Sequence, residues 1–134
     1  MKEHAFRLER GNDLLLSIEN YVSDNNIKAG VILSGVGCLY KATIRDAGGV
    51  DIVTLNKDVE IVSITGTLSQ DGCHLHISFS DKDLKTYGGH LVKGCLVNTT
   101  AEVCMFEFED YKFKRKFDDK TGYSELSVER LSSK

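Results

Sequence analysis

The run Val59-Glu60-Ile61-Val62-Ser63-Ile64-Thr65-Gly66-Thr67-Leu68 commits the chain to a sheet. Six of its ten residues are β-branched. Such side chains lose χ1 freedom in a helix and pack well on a pleated surface. Period-two alternation predicts Val59, Ile61, Ser63, Thr65 and Thr67 on one face, with Glu60, Val62, Ile64, Gly66 and Leu68 on the other. Ser69-Gln70-Asp71-Gly72 is a hairpin-type connection into a second strand, Cys73-His74-Leu75-His76-Ile77-Ser78-Phe79-Ser80-Asp81. Leu75, Ile77 and Phe79 enter the core there. His74 and His76, two residues apart, both leave by the other side.

The rest of the chain supplies one helix and more strands. Ala5 to Arg10 alternates Phe6 and Leu8 against Arg7 and Glu9, as a half-buried strand does. Gly11-Asn12-Asp13 breaks it, and Asn12 or Asp13 caps a helix whose stripe is Leu14, Leu15, Ile18, Tyr21 and Val22. Asp24-Asn25-Asn26 ends that helix. Residues 29–45 read as strand despite Gly30, Gly35 and Gly37. Gly35-Val36-Gly37 is a poor nucleotide fingerprint, because no third glycine follows at the right spacing and no helix opens behind it. These glycines predict a bulge, a bend or a close backbone approach. Short strands are expected at 50–55, 91–97, 101–108, 111–117 and 124–131. Polar turns separate them, with Asn98-Thr99-Thr100 as a break and Gly88-Gly89 as a flexible turn before His90. The expected fold class is α+β, with about seven to nine short strands, mainly antiparallel, and one main helix in a single domain over 1–134.

Composition narrows the function classes. A net charge of -3 over 134 residues leaves no basic footprint for nucleic acid. No run of eighteen apolar residues predicts a membrane span, and the charged first residues are unlike a secretory signal. Cys38, Cys73, Cys95 and Cys104 form no Cys-x-x-Cys pair and are expected as buried small hydrophobes in a cytoplasmic protein. The one basic run, Lys112-Phe113-Lys114-Arg115-Lys116, is flanked by acids. It reads as an edge strand with Phe113 and Phe117 inward and lysines outward, more readily than as a nucleic-acid surface.

Three of the four histidines, His74, His76 and His90, fall in or just after the hairpin. Three imidazoles make the open tetrahedral set of a catalytic zinc, with ligand nitrogens roughly 3.3 Å apart. The bland alternative is a pair of exposed histidines on a sheet face and a third capping a turn. Asp81 and Glu102 are candidate general bases or orienters of a ligating histidine, or else solvated strand-end groups. Arg45 is either an anion contact or half of a surface or intersubunit salt bridge. No serine or threonine sits in a nucleophile elbow.

Four blocks in order resemble a known family. They are Gly35-Val36-Gly37-Cys38-Leu39 with Ala42-Thr43-Ile44-Arg45; Glu60 to Leu68; His74 to Asp81 with Gly88-Gly89-His90-Leu91 and Gly94-Cys95; and Thr99-Thr100-Ala101-Glu102-Val103. Together, over about residues 6–126, they look like the plants-and-prokaryotes-conserved (PPC) domain in its stand-alone prokaryotic form. The resemblance implies a strongly bent, mainly antiparallel sheet flanked by a helix, and a homotrimer. It maps a metal site onto His74, His76 and His90, near a subunit boundary. In plants the domain follows an AT-hook and serves nuclear DNA-binding proteins in oligomerisation and partner binding. This chain has no such element and no proline. Three functional expectations follow: a trimeric protein binding zinc or another divalent transition metal through the three histidines; a DNA-binding or regulatory oligomerisation module; and a metal-dependent hydrolase or lyase acting on a small anionic metabolite, with Arg45 as the anion contact.

Overall fold

The organising strand is the longest one. In the computed structural model, which describes residues 1–132, β2 runs over Gly30–Arg45 and touches four other strands. Before it come β1 (Lys2–Glu9) and α1 (Leu14–Asp24). After it come β3 (Ile52–Leu55), β4 (Val59–Leu68), β5 (His74–Ser80), β6 (Thr86–Leu91), β7 (Leu96–Glu107), β8 (Tyr111–Asp118) and β9 (Tyr123–Arg130). The main sheet has the order β1-β7-β2-β4-β5-β6. β3 adds to β2, and β6 closes back onto the end of β2 through Ile44↔Leu91 and Arg45↔His90. All its pairings are antiparallel. Strands β8 and β9 form a separate two-stranded ribbon. The expected α+β architecture, a bent antiparallel sheet with one helix, is what the chain adopts.

Asp13 caps α1: its carboxylate accepts from the Leu16 N–H at 3.0 Å and, through the other oxygen, from the Gly94 N–H at 2.7 Å. The stripe Leu14, Leu15, Ile18 and Val22 is buried, and it joins one core cluster with Leu68, Leu75, Phe79, Leu91, Val97 and Val103. Tyr21 lies at the margin, stacked on Phe6 with centroids 4.4 Å apart.

Four local expectations need correction. The alternation predicted for β4 holds only to Ile61. A register shift between Ile61 and Ser63 inserts Val62 as a bulge, so Ile64 and Leu68 rejoin Val59 and Ile61 in the core. Asn98-Thr99-Thr100 is no break but a bulge within β7. Pairing jumps from Gly37↔Ala101 to Cys38↔Asn98, and Thr99 takes φ 57°. Gly37 serves this bulge: its φ is +150°, and a Cβ there would strike the Thr100 carbonyl. Phe117 points outward at 70% exposure, while Phe113 is buried as expected. All four cysteines are free, but only Cys95 is buried; Cys38, Cys73 and Cys104 are half-buried.

Candidate metal centre

Strand register builds the candidate site. On β5, buried Leu75, Ile77 and Phe79 fix the inward face, which sends His74 and His76 out together. β6 pairs with β5 so that His90 lies directly opposite His76. On its other edge β6 pairs with β2, which sets Arg45 opposite His90. Directly opposed residues in an antiparallel ladder share a face. Thr65, His76, His90 and Arg45 therefore form one transverse row across β4, β5, β6 and β2, with Thr67 and His74 in the adjoining row.

The Gly88-Gly89 pair is thus not a turn. It lies inside β6, where a Cβ on Gly88 would come within 2.5 Å of the Ile77 carbonyl oxygen. One on Gly89 would come within 2.7 Å of the Arg45 carbonyl oxygen. Glycine here admits β6 between two neighbours at close range.

The three imidazoles cluster. Ring centroids are 5.1 Å apart for His74 and His76, 5.2 Å for His74 and His90, and 5.7 Å for His76 and His90. One ring nitrogen from each lies within 4.8 Å of the others, and no carboxylate or thiol among the described residues joins the group. Tetrahedral ligation asks for roughly 3.3 Å between nitrogens. Small χ rotations of two exposed side chains supply the difference. His90 Nδ1 is buried and has no hydrogen-bond partner. A buried nitrogen left unpaired is costly. Burial, followed by the positive charge of Arg45, pushes His90 down to about 4. Burial and then Arg115 lower His74. His90 at least is held in the neutral, metal-ligating form at neutral pH. The donor set fits a borderline ion such as zinc.

The fourth histidine is structural. His4 bridges the Tyr21 hydroxyl at 2.8 Å and the Glu107 carboxylate at 2.9 Å. Asp81 and Glu102 do not reach the cluster. Asp81, buried at the far end of β5, accepts from Lys57 Nζ at 2.9 Å and from the Asp83 and Lys85 N–H groups. The Lys57 hydrogen bond holds its carboxyl below the usual range. Glu102 is exposed on β7, opposite Arg7 and Val36.

Arg45 does belong to the site. Its Nε is buried without a hydrogen-bond partner, and among the described residues it makes no ion pair. It lines a cleft of about 370 Å³ with His74 and His90. The far wall comes from the ribbon, as Arg115, Tyr123, Ser124 and Glu125. The basic run yielded no hint of this role for Arg115, because alternation describes a strand's faces and not what the strand folds over. Lys114 and Lys116 lie 3.4 and 4.0 Å from Glu129, so these two lysines of the run are spent on the ribbon itself.

Comparison with known proteins places the chain in a group. The family model for the Plants and Prokaryotes Conserved (PCC) domain matches residues 1–109. A hypothetical protein of Salmonella enterica shares 32% identity and superposes with a TM-score of 0.93, covering 96% of this chain and 94% of that one. A metal-containing protein of Archaeoglobus fulgidus shares 29% identity at a TM-score of 0.78, covering 95% and 94%. The bifunctional protein GlmU of a Synechococcus strain is 38% identical over 132 residues, 98% of this chain. That match spans about a fifth of its length, 21%.

Proposed function

The chain belongs to the Plants and Prokaryotes Conserved domain family, and from that premise we propose that it is a trimeric metal-binding protein holding zinc, or a similar divalent transition metal, through His74, His76 and His90. One observation carries the reading. Three strand-borne imidazoles converge with ligand atoms within 4.8 Å of one another, and one of them has a buried nitrogen that no protein group satisfies. The metal-containing relative from Archaeoglobus fulgidus, at 29% identity, supports it. A metal held by three imidazoles keeps a position open for water or a ligand oxygen and acts there as a Lewis acid. The protein's own contribution is to favour the neutral form of His74 and His90 and to aim the imidazoles by register.

The trimer is part of the proposal. Leu33 and Val36 of β2 and Val62 of neighbouring β4 are each more than half exposed, apolar side chains on the open face of interior strands, consistent with burial against further copies. The four free thiols suit a reducing, cytoplasmic setting. Among the described residues no helix is long and apolar enough to cross a membrane. Nothing in the basic run favours DNA, since its aromatic Phe113 is buried and Lys114 and Lys116 lie near Glu129.

The test is metal content by elemental mass spectrometry on untagged protein, beside the triple variant His74→Ala, His76→Ala, His90→Ala. About one transition ion per chain, absent from the variant, is the expected result. No metal in either protein after reconstitution refutes the site. Sedimentation velocity of the same samples reads the trimer.

A further inference from the structure

We propose that Arg45 and Arg115 form an oxyanion-binding subsite on either side of the three histidines, so that the site's ligand is a small acid whose carboxylate or phosphate is gripped by guanidinium while another of its oxygens reaches the metal. The inference rests on the metal reading above and specifies what that centre binds.

The two arginines reach the histidines by independent routes. Arg45 is the register partner of His90 across β2 and β6, on the same face. Arg115 arrives from the ribbon, and its Nη2 donates to Thr67 Oγ1 at 2.9 Å. Thr67 is the register partner of His74 across β4 and β5. One guanidinium thus stands beside His90 and the other beside His74, and both line the cleft of about 370 Å³ that these two histidines share. Neither makes an ion pair among the described residues. The buried Nε of Arg45 has no acceptor at all. Guanidinium is the side chain whose planar fork matches carboxylate and phosphate, and an unmet buried donor beside a Lewis-acid centre is a place for such a group.

Asp71 and Glu125 also line the cleft and equal the two guanidiniums in formal charge. One Asp71 carboxylate oxygen accepts from the Arg115 backbone N–H at 3.0 Å. Glu125 stands opposite Lys116 in the ribbon ladder. With a divalent ion bound, the balance of charge in the cleft is positive, and the cleft's volume suits a small metabolite rather than a polymer. The family match ends at residue 109, while the wall bearing Arg115, Tyr123, Ser124 and Glu125 comes after it.

The experiment uses the full chain loaded with Co²⁺, whose visible absorption reports both ligation and any change at the open position. Malonate and inorganic phosphate are the probes, titrated by absorption and by calorimetry. At least one of them is expected to bind saturably, and Arg45→Gln and Arg115→Gln are each expected to weaken it at least about tenfold, as loss of a charged hydrogen bond does. The cobalt spectrum and stoichiometry should stay at wild-type values in both variants, which also shows that they fold. Lys112→Gln removes the same charge from the ribbon outside the cleft and should change nothing. An intact cobalt spectrum with no binding of either probe to the wild type overturns the subsite. So does equal affinity in wild type, Arg45→Gln and Arg115→Gln. Absence of a cobalt spectrum in the wild type refutes the metal reading, a separate failure. Whichever probe binds tighter identifies carboxylate or phosphate as the group recognised.

Discussion

Replacing Gly89 by alanine tests whether the site is built by strand register. The added Cβ would stand 2.7 Å from the Arg45 carbonyl oxygen and 3.2 Å from Ile44 Cδ1. Moving from 2.7 Å to ordinary van der Waals contact requires β6 to retreat from β2 by roughly 0.7 Å. Ile77 of β5 lies directly opposite Gly89 and hinders motion the other way. Overpacking of this kind costs about 1–3 kcal/mol, and urea unfolding should show it as a lower midpoint with an unchanged slope. His90 is the next residue, so its ring moves with the strand. Metal–ligand distances tolerate about 0.2 Å, so His74 and His76 must rotate further from their preferred rotamers to keep three nitrogens on one ion. Zinc affinity, measured by competition with a chromophoric chelator, should therefore fall at least about tenfold. Wild-type affinity together with a wild-type midpoint would refute the reasoning, for it would mean that Gly88-Gly89 is the flexible turn its composition suggests.

Phe79→Ala removes the largest fully buried side chain, beneath the histidine strand, and should cost about 3–5 kcal/mol by denaturant unfolding. Asp81→Asn should lower the thermal midpoint by weakening the Lys57 pair, yet leave metal content unchanged, because Asp81 lies outside the cluster. The metal-free protein should lose stability as pH falls from about 6.5 toward about 4. His90 titrates near 4 in the folded chain and near 6.5 in the unfolded one, so between these values the unfolded state binds more protons and acid favours it. Thermal unfolding across that window should show the decline, and His90→Ala should flatten it. The depressed Asp81 carboxyl acts lower still. Its contribution is complete above the ordinary carboxylate pKa and disappears as pH drops through the folded value.

Much of this molecule is written in short-range pattern. Leu75, Ile77 and Phe79 alternate with His74 and His76, and a strand has no way to separate two residues of equal parity. The Asp13 cap and the helical stripe behind it are equally local. Periodicity failed where a single extra residue changes parity. Val62 does so in β4, because a bulge is chosen by the partner strand and leaves no mark in the bulged one; in β7 the two extra residues Thr99 and Thr100 keep parity, and the strand runs on through what reads as a break. It failed again at Gly88-Gly89. Glycine signals freedom when read alone, and close approach only when the carbonyls of Ile77 and Arg45 are known to stand beside it. The composition of the site also lies beyond local pattern. Arg45 precedes His90 by half the sheet, and Arg115 returns from a ribbon that folds over Thr67. Alternation along a strand follows from backbone geometry two residues at a time, whereas register and closure follow from which distant surfaces bury together. The histidine pair belongs to the first kind of information. The third histidine's position, the two guanidiniums and the cleft between them belong to the second.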